Sequence, residues 1–137
     1  MKRAANESQL VTAILKALKL KGVWAWRVNS SLTVLPKQGG HARRVVKGAE
    51  AGTPDILFVY ERAIRTAVVS GEPVTLAAAG CLGGLEVKTV TGRQLPTQRA
   101  WQEKAERHGV RYAVVRSISE ALDVVGLWSG AGKADAR

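Results

Sequence analysis

Leu10, Val11, Ile14, Leu15 and Leu18 recur at three- and four-residue steps, the spacing of one helix face, and predict a helix over residues 7–20. Asn6 followed by Gln9 matches a capping box, Glu7 in the first turn suits the helix dipole, and Gly22 closes the segment. The period then shortens. Residues 23–28 (VWAWRV) alternate bulky and smaller side chains, and residues 31–35 (SLTVL) follow as a second strand. Residues 56–60 (ILFVY) form a continuous apolar run, the pattern of a strand covered on both faces. Residues 84–90 and 111–115 (RYAVV) read as further strands, and Pro96 opens a helix that runs to His108 and stops at Gly109. A short final helix spans Ser119–Val125, and residues 129–137 read as a flexible tail.

Two stretches carry weaker patterns. Between Pro36 and Gly52 lies a polar, glycine-containing segment that reads as a long functional loop. Residues 65–79 carry few charges, and the Ser-Gly-Glu-Pro break at 70–73 fits a hairpin turn, with a helix as the alternative. The element order predicts an α/β fold, a central mixed β-sheet flanked by helices. It forms a single domain over residues 1–128 with an extra segment at 61–83.

Composition narrows the setting. A chain of 137 residues with 46% hydrophobic content is enough for one packed core. No run approaches the roughly 18 apolar residues of a membrane span. The N-terminal MKRAANESQ lacks the apolar stretch of a signal peptide. Cys81 is the single cysteine, which excludes an internal disulfide, and together with His41 and His108 it makes a poor zinc set. A reducing cytoplasm is the expected location. The 21 Lys and Arg against 11 Asp and Glu give a formal charge of +10. That excess, scattered over many elements, points to a nucleic acid rather than to a membrane surface. Lys37, Arg43, Arg44 and Lys47 in the polar segment are the candidate phosphate contacts. Trp24 and Trp26 share one strand face and read as core or interface groups. The lightly charged segment 61–83 is a candidate dimer surface, with a plain core hairpin as the alternative.

The chemistry gathers around Gly84-Leu85-Glu86-Val87-Lys88. On a strand Glu86 and Lys88 share one face while Leu85 and Val87 take the other. Asp55, set by Gly52-Thr53-Pro54, adjoins the apolar run 56–60 and needs a charged, metal or amide partner there. If the two strands are neighbours, Asp55 and Glu86 converge beside Lys88. Two such carboxylates repel unless a cation compensates them, and all-oxygen ligation favours Mg²⁺ or Mn²⁺. Lys88 can orient a water or neutralise developing charge. In the following helix Trp101 and Ala105 pack inward and aim Gln98 at the end of the strand, and Glu7 lies on the apolar stripe of the first helix.

Glu7, Gly52-x-Pro54-Asp55, Glu86-x-Lys88 and Leu95-x-x-Gln98 together resemble the PD-(D/E)xK nuclease pattern. More narrowly, they resemble the virus-type replication-repair nuclease (VRR-Nuc) domain, over residues 7–116. The resemblance implies a restriction-endonuclease-like core and a divalent-metal-dependent DNA endonuclease, often acting on branched DNA in repair. Small stand-alone members from phages and bacteria resemble Holliday-junction resolvases and act as homodimers. By position it implies Asp55 and Glu86 as metal ligands with the Val87 carbonyl, Lys88 as catalytic lysine, and Glu7 and Gln98 as accessory residues. The interval from Asp55 to Glu86 departs from the compact family pattern because of residues 61–83. Two other readings share these residues: a basic DNA-binding module without turnover, and a sequence-specific restriction-type endonuclease.

Overall fold

The computed structural model describes residues 6–29, 33–35, 44–46 and 48–130, with 33–35 and 44–46 described by their backbone alone. Helix α1 spans Glu7–Leu20, with the Asn6–Gln9 capping box formed in both directions at 2.8 and 3.2 Å. Strand β1 spans Trp24–Arg27, β2 Thr33–Leu35, β3 Arg44–Val46, β4 Ile56–Val69 and β5 Glu72–Val87. Helix α2 spans Pro96–Arg107, β6 Arg111–Val115 and α3 Ile118–Trp128. Four strands form one mixed sheet in the order β1-β4-β5-β6, antiparallel except for the β5–β6 pair. A parallel pair needs a crossover, and α2 supplies it.

The two faces of this sheet are covered differently. Val11, Ile14 and Leu18 of α1 and Ala121 and Val125 of α3 form one core with Ile56, Phe58, Tyr60, Leu85, Val87 and Val115. The opposite face carries Glu86 and Gly84, and α2 covers it only over β5 and β6, where Trp101 tilts against Tyr112 at 6.0 Å between ring centroids. Two expectations therefore change. Residues 56–60 are not covered on both faces: Ile56, Phe58 and Tyr60 are buried, but Leu57 and Val59 are half-exposed. Trp24 and Trp26, paired with Val59 and Leu57 on the same open face, are exposed rather than core, Trp24 by 72%. They rest on each other at 5.6 Å.

Segment 61–83 is a hairpin, not a helix, and it continues β4 and β5, with register shifts around Ile64 and Arg65, to a Ser70-Gly71 turn with φ of 52° and 82°. Beyond the flanking strands it is a bare two-stranded ribbon, exposed along its length apart from half-buried Ala67, Ala77, Ala79 and Cys81 and, at its base, buried Gly83. The expected loop between Pro36 and Gly52 also holds a strand: Arg44–Val46 pairs with Thr33–Leu35 as a separate two-stranded sheet. Lys37, Arg43 and Lys47 lie outside the described residues, and of Arg44 only its backbone register against Leu35 is described.

Candidate functional site

The site lies where β4 begins and β5 ends. Ile56 pairs with Leu85, so the antiparallel register sets Asp55 opposite Glu86. The turn before Asp55 is tied by Thr53, whose amide and hydroxyl both donate to the Glu50 carbonyl. Gly52 adopts φ +87°, and a Cβ there would collide with the Thr97 backbone, its carbonyl carbon lying 2.7 Å away. Only glycine lets this turn lie flat on the first turn of α2. Asp55 Oδ2 accepts a 2.8 Å hydrogen bond from the Val87 amide, which fixes the carboxylate across the strand pair.

Glu86 is 1% exposed, and its two oxygens have different surroundings. Oε1 accepts a 2.6 Å hydrogen bond from Gln98 Nε2 and lies 3.2 Å from Lys88 Nζ. Gln98 is itself aimed by its Oε1, which accepts from the Leu95 amide at 2.8 Å at the start of α2. Oε2 is buried with no hydrogen-bond partner among the described residues. Lys88, one residue past the end of β5 and 6% exposed, lies 3.9 Å from Glu7 Oε1. Burial raises the Glu86 carboxyl to about 7, and the neighbouring Asp55 charge adds to the rise while Lys88 opposes it.

Glu7, Asp55 and Glu86 each place a carboxylate oxygen within 4.8 Å of the others. A buried, unpartnered carboxylate oxygen in such a cluster costs several kcal/mol unless something positive meets it. The donor set is entirely oxygen, so the residues present fit a hard divalent cation. Glu7, Asp55, Glu86, Lys88 and Gln98 thus come together at one point, as does the backbone of Val87. Lys37, Arg43, Lys47 and the side chain of Arg44 lie outside the described residues. Tyr112 was not singled out by sequence reasoning. Its hydroxyl is buried, and its pKa is raised chiefly by that burial, with Glu86 and Asp55 contributing. Alternation along RYAVV signals its burial, but no motif marks it.

The VRR-NUC domain family model matches residues 5–118. The chain belongs to this family, a nuclease family of the PD-(D/E)xK type whose members generally use divalent metals and whose substrate is DNA. The mixed sheet and its flanking helices agree with that core. Among curated proteins none matches the chain.

Proposed function

We propose that the protein is a Mg²⁺- or Mn²⁺-dependent DNA endonuclease selective for branched structures such as four-way junctions. The observation that carries the metal-dependent chemistry is Glu86 Oε2, buried without a partner beside Asp55 and Glu7 while Lys88 holds the other oxygen. Glu7, Asp55, Glu86 and the Val87 carbonyl would hold the cation. When bound, it lowers the pKa of a water and stabilises charge on the scissile phosphate. Lys88, fixed between Glu86 and Glu7, places an ammonium where negative charge develops. Gln98 keeps the Glu86 carboxylate in one orientation. The +10 charge draws the polyanion in, with Lys37, Arg43, Arg44 and Lys47 as the proposed phosphate contacts.

Branched DNA presents two-fold related strands, which a homodimer matches. The ribbon is its proposed interface. Residues 61–82 hold two acidic side chains (Glu61, Glu72) and two basic ones (Arg62, Arg65), so this arm lacks the basic excess of the rest of the chain. Ile64 and Val68 are 64% and 74% exposed on it. An isolated two-stranded ribbon is marginal in water and gains stability from a second surface. Light scattering of wild type and Ile64→Asp/Val68→Asp checks this, and an unchanged mass refutes the ribbon interface.

The activity is tested with flap, fork, four-way-junction and linear DNAs plus Mn²⁺. Preferred cutting of branched forms by wild type, lost in Glu86→Ala, is expected. Cutting of linear duplex at one defined sequence favours the restriction-type reading. Salt-sensitive binding without product under any divalent ion favours a binding module.

A further inference from the structure

We infer that Arg116 is a positioning residue for Lys88, acting through the turn that follows it. This rests on the nuclease reading above. Arg116 follows β6 and precedes Ser117, the N-cap of α3, and its backbone amide donates to Glu120 Oε2 at 2.7 Å. Its own place in the chain is therefore fixed by the start of a helix that packs into the core. From there its side chain reaches back to the turn between β5 and α2. Nη1 donates to the carbonyls of Thr89 at 2.5 Å and Gly92 at 2.7 Å, with Val90 at the margin at 3.5 Å.

That turn is the wall against which Lys88 lies. The Gly92 amide donates to the Thr89 carbonyl at 3.1 Å, closing the turn. A Cβ on Gly92 would stand 3.4 Å from both Cβ and Cδ of Lys88 and 3.3 Å from Thr89 Oγ1. Gly92 thus lies beside the aliphatic stem of Lys88, at a distance that a single added methyl would close. The Lys88 amide is held at 3.0 Å by the Val115 carbonyl, the residue before Arg116. The backbone of Lys88 is therefore tied to Val115, and the turn beside its stem to Arg116. Val90 at the outside of the turn is 87% exposed, so no packing from that side holds the turn down. Without the guanidinium the carbonyls of Thr89 and Gly92 lose this charged donor, and the Lys88 stem loses its backing. Glu7, Asp55 and Glu86 are held by other contacts: a capped helix, the Val87 amide and Gln98. Loss of Arg116 should displace the ammonium and leave the carboxylate cluster in place.

The experiment measures steady-state junction cleavage and Mn²⁺ binding by calorimetry for wild type, Arg116→Ala, Arg116→Lys and Gly92→Val. Gly92→Val crowds the Lys88 stem with Arg116 intact, so the test survives if Arg116→Ala does not fold. Misplacement of a reacting group by about 1 Å can cost about 100-fold. Arg116→Ala and Gly92→Val are expected to lower kcat about 10- to 100-fold, with KM and Mn²⁺ affinity within about threefold of wild type. Arg116→Lys, which keeps a cation able to donate to carbonyls, should fall between wild type and Arg116→Ala. An unchanged kcat in the folded variants overturns the inference, and so does a loss of Mn²⁺ affinity in step with kcat, which marks general damage. Wild type that cuts no DNA sinks the nuclease reading itself, and the two failures are thereby told apart.

Discussion

Replacing Glu86 by glutamine should make the metal-free protein more stable in alkaline solution while removing its capacity to bind metal. The Glu86 carboxyl is raised from 4.5 to about 7, chiefly by burial and then by Asp55. The sign follows from proton counting. Between these two values the folded protein holds a proton that the unfolded chain has lost, so stability falls as pH rises through this window. Going from pH 5 to pH 8, that single group costs about 2 to 3 kcal/mol by linkage. Glutamine has the same shape, keeps an oxygen for Lys88 and Gln98, and has no proton to lose. Titrating groups remote from the site are shared by the two proteins and cancel in the comparison, while Asp55 and Lys88, which interact with Glu86, titrate with it as one group. Urea unfolding in the presence of a chelator, at pH 5 and pH 8, gives the four free energies needed. The difference between Glu86→Gln and wild type should grow by about 2 to 3 kcal/mol in favour of the variant at pH 8. Mn²⁺ at 100 times its Kd should return about 2.7 kcal/mol to wild type only. Identical pH trends for the two proteins would refute the account of Glu86 as a desolvated carboxyl.

Lys88→Met should abolish cleavage yet retain Mn²⁺ binding by calorimetry, because the three carboxylates remain and the ammonium that competes for them is gone; lost binding would contradict this. Mn²⁺ binding should weaken below about pH 7 and release a proton there, because Glu86 must ionise to ligate. Calorimetry in two buffers of different ionisation enthalpy reads this directly, and buffer-independent heats would count against it. Gly52→Ala should cost more than about 2 kcal/mol, from the positive φ and the collision with Thr97. Urea unfolding measures this, and a cost below about 0.5 kcal/mol would show that the turn can move away from α2.

The parts of the site that were legible in the sequence are those whose chemistry is carried by side chains at strand ends. Asp55 behind Pro54, and Glu86 with Lys88, stand out because charges at such positions violate the apolar pattern around them. Gln98 was legible through the spacing of Trp101 and Ala105, which fixes the buried side of α2. Strand β3 was not, because its partner lies across a glycine-containing connection and three polar-flanked residues carry no period of their own. Segment 61–83 was ambiguous for a different reason. Its half-buried positions Ala77, Ala79 and Cys81 are small residues flanked by Ala78 and Gly80, so the sequence shows no contrast between faces and only the turn chemistry identified it. The exposure of Trp24 and Trp26 depends on where α2 stops covering the sheet, which is a tertiary matter. Arg116 was invisible because its partners are carbonyls, and backbone acceptors have no signature in a sequence.

Charge at the site runs opposite to charge on the chain. Glu7, Asp55 and Glu86 carry three formal negative charges and Lys88 one positive, a local balance of −2 inside a chain of +10. A phosphate drawn in by the basic surface meets repulsion at the last few ångströms, where burial makes each charge weigh more than it does in water. A divalent cation cancels that balance and the orphaned Glu86 oxygen together, whereas a monovalent one leaves a charge uncompensated. The raised Glu86 carboxyl is the response of the metal-free site to the same imbalance, since a proton is the other cation that can relieve it. A proton and the proposed metal would thus compete for one place. The stability given up at Glu86 as pH rises through the window from 4.5 to about 7 would therefore be recovered in part when the proposed divalent ion binds.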